Sequence, residues 1–146
     1  MTRIETIARL LQTENTVALA TESEGGVPHV APLFYLAAAD LGVYWFSSPS
    51  SVHSRNLKRN PAAAIAIYPA TERWREIRGV QMAGRACPVT DPAERRTVVK
   101  AYIERFCLGK LWASAIRLSR LYRFRPTWVR YIDNSRRPGY KFEVRL

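Results

Sequence analysis

Apolar residues Ile4, Ile7, Ala8 and Leu11 fall at the i, i+3, i+4, i+7 spacing of one helix face, with Thr2 ahead of them as a cap. The spacing predicts an amphipathic helix that Asn15 ends. The period then changes. Residues 16–21 (TVALAT) and 27–36 (VPHVAPLFYL) are β-rich runs on either side of Glu24-Gly25-Gly26, the pattern of a hairpin. A second tight turn at 39–42 leads into a third strand, 43–47 (VYWFS). Pro28 and Pro32 each lack a ladder donor, so the strand that carries them is expected to be bulged or at a sheet edge, with backbone groups free to meet a ligand.

A serine-rich turn follows, then a short basic helix over 51–59 that stops before Asn60-Pro61. Residues 62–68 (AAAIAIY) read as a compact buried strand, and 74–89 as a long strand broken by Gly79 and Gly84. Asp91-Pro92-Ala93-Glu94 is a helix start, with Asp at the cap, Pro at the first position and Glu at the third. Val98, Val99, Tyr102, Ile103 and Phe106 carry its apolar stripe, and 108–116 adds a further turn or two. Two β-rich runs, 121–132 and 140–146, close the chain around the turn 134–139. Six or seven mostly antiparallel strands with attached helices predict a mainly β protein, a β-barrel forming one domain over 1–146.

Composition leaves this picture intact. With 146 residues, 47% of them apolar and 24% charged, the chain can bury a core without disulfides or a structural metal. Its longest apolar stretch, 30–39, is ten residues and contains Pro32, against roughly 20 for a bilayer span. The first residues hold Glu5 and Arg9 where a signal peptide would be apolar, so a soluble cytoplasmic protein is expected. Cys87 and Cys107 stand alone, without CxxC or Cys/His spacing; no metal site is expected, and two free, partly buried thiols are.

Charge is distributed unevenly. The net charge of +11 splits into −3 over residues 1–46 and +14 over the rest, so a phosphorylated or polyanionic ligand belongs to the second part. No block of five or six consecutive cations occurs. Arg117, Arg120, Arg123, Arg125 and Arg130 are spaced along a strand and its approach, where a solvated face accounts for them better than nucleic-acid binding.

Candidate chemistry concentrates in 43–61, VYWFSSPSSVHSRNLKRNP. Ser47, Ser48, Ser50 and Ser51 stand where a helix begins, and His53 and Arg55 lie in its first turn. Free N–H groups and the positive end of the helix dipole favour an anion such as a phosphate there; a plain surface cap by Ser50 or Ser51 is the alternative. A Ser-His-Asp hydrolase built on Ser51 and His53 has no nucleophile-elbow motif behind it, and neither GxGxxG nor a P-loop is present. Gln81 is an amide among apolar strand residues, suited to the polar edge of a heterocycle or simply to an exposed strand face. The four tryptophans read as core or interface bulk.

The ordered set G-x-P-H-V-x-P (Gly26 to Pro32), a strand ending in serines, S-x-H-x-x-x-L-x-x-N-P (Ser51 to Pro61), I-R-G-V-Q-x-x-G-R-A (Ile77 to Ala86) and a D-P-x-E helix resembles the pyridoxamine 5′-phosphate oxidase-like split barrels. The resemblance spans nearly the whole chain and is nearest to small bacterial members. It implies an antiparallel split β-barrel, homodimeric, with FMN at the subunit interface, and an oxidoreductase passing electrons or hydride to a small organic acceptor. It also implies Pro32, Leu33 and Phe34 along the isoalloxazine, Ser47 near the phosphate end, Ser51, Val52 and His53 on the phosphate segment, and Gln81 at the ring's polar edge. His53 stands where many members have lysine. The segment from Leu121 to Leu146 lacks the tryptophan and arginine motif of the true oxidases, so vitamin B6 oxidation is not implied. Related proteins use FMN, a deazaflavin coenzyme or haem. No residue is assigned as catalytic.

Overall fold

The computed structural model describes residues 1–146. Helix α1 (Arg3–Thr13) opens with a capping box: Thr2 accepts from the Glu5 amide while the Glu5 carboxylate accepts from the Thr2 N–H. Ile7, Leu10 and Leu11 bury its apolar face. Strand β1 (Thr16–Glu22) turns back into β2 (Pro28–Phe34) through a short 3-10 turn at Glu24–Gly26. Both glycines there have φ of +78°, a backbone region that side chains with a Cβ rarely enter.

The predicted strand over 27–36 is two strands. Tyr35 interrupts it, and β3 (Leu36–Ala37) continues on the other side. Tyr35 is fully buried; its N–H donates to Asn15 O and its hydroxyl donates to Leu11 O at 2.6 Å. The remaining elements are β4 (Val43–Ser47), α2 (Val52–Arg59), β5 (Ala62–Ile67), β6 (Arg78–Pro88), α3 (Pro92–Phe106), α4 (Lys110–Leu118), β7 (Arg120–Asp133) and β8 (Lys141–Arg145). Strand order is β2-β1-β5-β6-β7-β4-β3, all antiparallel, with β8 beside β7. The two ends of that order, β2 and β3, are halves of one chain segment. The sheet therefore closes on itself through Tyr35, an eight-stranded split barrel with four α-helices.

Several expectations are corrected in detail. The barrel has eight strands, one more than the upper expectation, because the run over 27–36 divides at Tyr35 into β2 and the two-residue β3. Strand β6 begins at Arg78, since Trp74–Glu76 forms a 3-10 turn, and it runs unbroken past Gly79, which pairs with Ile132. At Gly84 the pairing with β7 shifts register. A Cβ there would land on the Arg125 carbonyl and lie 2.8 Å from Pro126 Cα, so only glycine allows this approach. Helix α3 ends at Cys107, whose φ of +49° breaks the chain direction, and α4 is a separate nine-residue helix. Both cysteines are free but exposed: Cys87 alternates outward beside buried Ala86, and Cys107 sits in the left-handed cap of α3.

Inward residues of β1, β4, β5, β6, β7 and β8 join α1 in one core that includes Leu19, Trp45, Ile67, Met82, Phe124 and Val129. Tyr44, Val98 and Leu121 form a smaller cluster under α3, outside β4 and β7. Arg123 pins that helix: its guanidinium donates to Glu94 at 2.8 Å and to the Tyr44 hydroxyl at 2.9 Å, and also reaches Asp40. Arg95, Arg105 and Arg59 donate to backbone carbonyls of other elements. Part of the basic excess is thus structural clamping. No helix is long and apolar enough to cross a membrane.

Candidate functional site

Helix α2 owes its place less to apolar burial than to polar ties. Leu57 is its one buried aliphatic side chain; His53, Ser54 and Asn56 fill the rest of the inner face. Asn56 Nδ2 lies 3.0 Å from both Thr21 Oγ1 and Ser23 Oγ and donates to them, and Arg59 donates to Glu22 O, which fixes the helix against β1. Lys58 and Arg59 complement the dipole at its C-terminus.

At the other end the serine cluster assembles. Ser51 is the N-cap, its hydroxyl accepting from the Ser54 amide at 3.3 Å and donating to Ser48 O at 2.9 Å. The Ser51 N–H donates to Ser48 O. The Val52 and His53 amides, at the first two helical positions, have no intrahelical acceptor. His53 Nε2 lies 2.7 Å from Ser47 Oγ and 3.2 Å from Ser51 Oγ. The imidazole is 9% exposed, and burial, with the nearby His29 as a second cause, holds its pKa below the usual histidine value. His53 is thus a neutral, hydrogen-bonded member of the cluster, and no carboxylate bonds to its ring. The Ser-His-Asp arrangement is not assembled.

Burial of a neutral histidine has a measurable consequence. A base whose pKa is lowered by folding leaves stability whole above its unfolded value, about 6.5, and removes it as pH falls and the unfolded chain takes up the proton. Thermal melts from pH 8 to pH 5 should show falling stability below about 6.5. His53→Gln is expected to flatten that slope; an unchanged slope assigns it to other groups.

The ring-contact residues do not all share one surface. In β2, Pro28, Val30, Pro32 and Phe34 point outward, whereas Leu33 is half-buried and packs on the core. Phe34 meets Phe106 of α3 at 5.3 Å between ring centres. Cross-strand partners share a face, so register defines two rows on the barrel exterior. One runs Pro32–Ala18–Ala66–Gln81–Arg130, the other Val30–Ala20–Ala64–Ala83–Trp128. Gln81 is exposed in the same row as Pro32 but three strands away, about 14 Å. Between them the floor is alanine, flat and apolar.

The structure brings together Ser47, Ser51, Val52 and His53, sets Pro32 and Gln81 along one row, and turns Leu33 inward. Reading the sequence alone missed the Thr21, Ser23 and Asn56 ties and the alanine rows. Their partners lie 33 or more positions apart, and single alanines in alternation carry no chemical signal.

A barrel split at one buried tyrosine, carrying a serine-capped helix against its first hairpin, defines the protein as a split-barrel domain. The family model described as pyridoxamine 5′-phosphate oxidase matches residues 4–133, and the chain belongs to that family. No curated protein matches it in sequence. Among solved structures it is similar to a conserved hypothetical protein from Mycobacterium tuberculosis, with 22% identity, 92% of this chain and 86% of that chain covered, and a TM-score of 0.79. It is also similar to a haem-binding protein from Mycobacterium smegmatis (20% identity, 99% and 59% covered, TM-score 0.78). HutZ, the haem storage protein from Vibrio cholerae, is a third (23% identity, 86% and 91% covered, TM-score 0.69). At these identities the likeness is one of fold.

Proposed function

We propose that this protein is an FMN-binding oxidoreductase that works as a homodimer, with the cofactor between the subunits. The observation that carries the reading is the alanine floor from Pro32 to Gln81 on the outer face of the barrel, combined with two helix-start amides of α2 that lack an acceptor. The amides of Val52 and His53 and the hydroxyls of Ser48, Ser50 and Ser51 would hold the phosphate, and the flat rows with the Gln81 amide would take the ring. Arg55 is the one cation in the first turn of α2, and it is exposed. The phosphate is therefore met mainly by neutral donors, and the affinity is expected to be moderate. FMN, when bound, supplies hydride or single-electron transfer to a small organic acceptor; the chain orients it and excludes water.

Leu111, Trp112 and Leu118 of α4 are exposed large apolar side chains on one helix, which supports a partner surface there. The haem reading suggested by the M. smegmatis and V. cholerae proteins needs an axial ligand. His53 is buried with its Nε2 engaged by serines, and His29 is a half-buried imidazole, so neither histidine stands open on the alanine floor; Tyr68, exposed two positions beyond Ala66, is the side chain there that a haem could use instead. Heat release of the bound molecule from purified protein, followed by its mass, tests the reading. The expected result is yellow protein yielding FMN; a haem spectrum, or colourless protein that does not quench added FMN, overturns it.

A further inference from the structure

A cleft lies at another place on the barrel, where the loop before β6 meets the turn between β7 and β8. Trp74, Arg75, Asn134, Arg136, Arg137 and Pro138 line this cleft of about 470 Å³, within the range of small-ligand sites. The cleft is built rather than loose. Asn134 Nδ2 donates to Trp74 O at 3.0 Å, its N–H donates to Ile77 O at 2.9 Å, and its Oδ1 accepts from the Gly139 N–H at 3.0 Å. Asp133 holds the turn from beneath, accepting from the Ser135 N–H and hydroxyl and from the Tyr131 hydroxyl. One asparagine and one aspartate thus lock loop and turn together.

What this frame presents is an aromatic face beside free cations. Trp74 is 83% exposed and rests on no core. Arg75 and Arg137 have no hydrogen-bond or ion-pair acceptor; Arg137 only overlies the Tyr140 ring. Arg136 is tied loosely: it approaches Asp133, a carboxylate already accepting three hydrogen bonds, at 3.8 Å, donates to the Tyr140 hydroxyl at 3.4 Å and overlies the Tyr140 ring. Guanidinium forks match phosphate oxygens, and an open indole takes a heterocycle by stacking. A plain anion would leave the indole unused, and a neutral aromatic would leave the arginines unused.

We propose that this cleft binds a nucleotide, its base stacked on Trp74 and its phosphates held by Arg75, Arg136 and Arg137. The inference is independent of the flavin reading, because it uses none of the residues at α2 or on the alanine rows.

Calorimetric titration of the full chain, with and without saturating FMN, tests it using ATP, adenosine and tripolyphosphate as probes at ~150 mM salt, where long-range attraction is screened. ATP is expected to bind at least about tenfold more tightly than either fragment, because it alone engages both features. Trp74→Ala should weaken ATP and leave tripolyphosphate unchanged, and Arg137→Ala should weaken both while leaving adenosine unchanged. Both side chains are on the surface, and melting temperatures within about 2 °C of the parent verify folding. ATP binding no tighter than tripolyphosphate, or insensitive to Trp74→Ala, overturns the proposal. So does one-for-one displacement of ATP by FMN, which would make the cleft the flavin's own site. Oligoadenylate binding about a hundredfold tighter than ATP overturns it in favour of single-stranded nucleic acid.

Discussion

A Ser51→Asp variant is expected to melt at or slightly above the parent temperature and to bind FMN about thirtyfold more weakly. Aspartate caps a helix as well as serine does, and its charge suits the N-terminal end of the dipole. The same charge faces a phosphate held by the Val52 and His53 amides. Two like charges a few ångströms apart at a partly solvated site oppose each other by about 2 kcal/mol. The variant therefore separates the two meanings of Ser51, which accepts from the Ser54 amide as any cap does and also borders the two unpartnered amides. Differential scanning fluorimetry reads the cap, and FMN fluorescence quenching reads the anion. Unchanged FMN affinity would leave Ser51 a cap alone and move the phosphate elsewhere.

Gly84→Ala carries the largest expected effect on stability, a loss of about 3 kcal/mol, or about 10 °C in a chain of this length. The added methyl has no flexible side chain to displace. It meets the backbone of Arg125 and Pro126, and β6 and β7 share the longest ladder of the barrel. Relief requires the two strands to part where their register already shifts. Gly109→Ala is the control: nothing lies within 4 Å of its Cβ position and its φ is −73°. Its cost should stay below about 1 kcal/mol, the value of a weaker helix cap. Equal melting temperatures for the two variants would show that the close approach at Gly84 is not obligatory.

Most of the fold was legible because its signals are local. The Thr2 cap of α1, the Gly25-Gly26 turn, the Asp91-Pro92 helix start and the Asn60-Pro61 stop each act within a few residues, and each stands in the structure where the pattern placed it. Pro28 and Pro32 pointed to an edge, and β2 is one end of the strand order. The kink at Tyr35 was not legible. There the Tyr35 side chain is fully buried and its hydroxyl donates to Leu11 O, a contact 24 positions away. Gly84 marks a break in the strand pattern, but its role comes from the β7 backbone, which sequence does not place beside it.

For the candidate site the division is similar. The serine run, the helix start and the position of His53 follow from residue order, since capping and the helix dipole operate within one turn. Whether His53 is a cation or a neutral partner depended on burial, and burial comes from α2 folding onto the barrel with Ser47 across from it. Gln81 was recognised as an amide on a strand; only register set it in the row of Pro32, and three strands away. Residue order sets most of the elements, their caps and the chemistry available at each, because those signals are local. Which groups meet, which are neutral and which stand open to a ligand is settled in folding, because contact, desolvation and exposure arise between segments far apart in the chain.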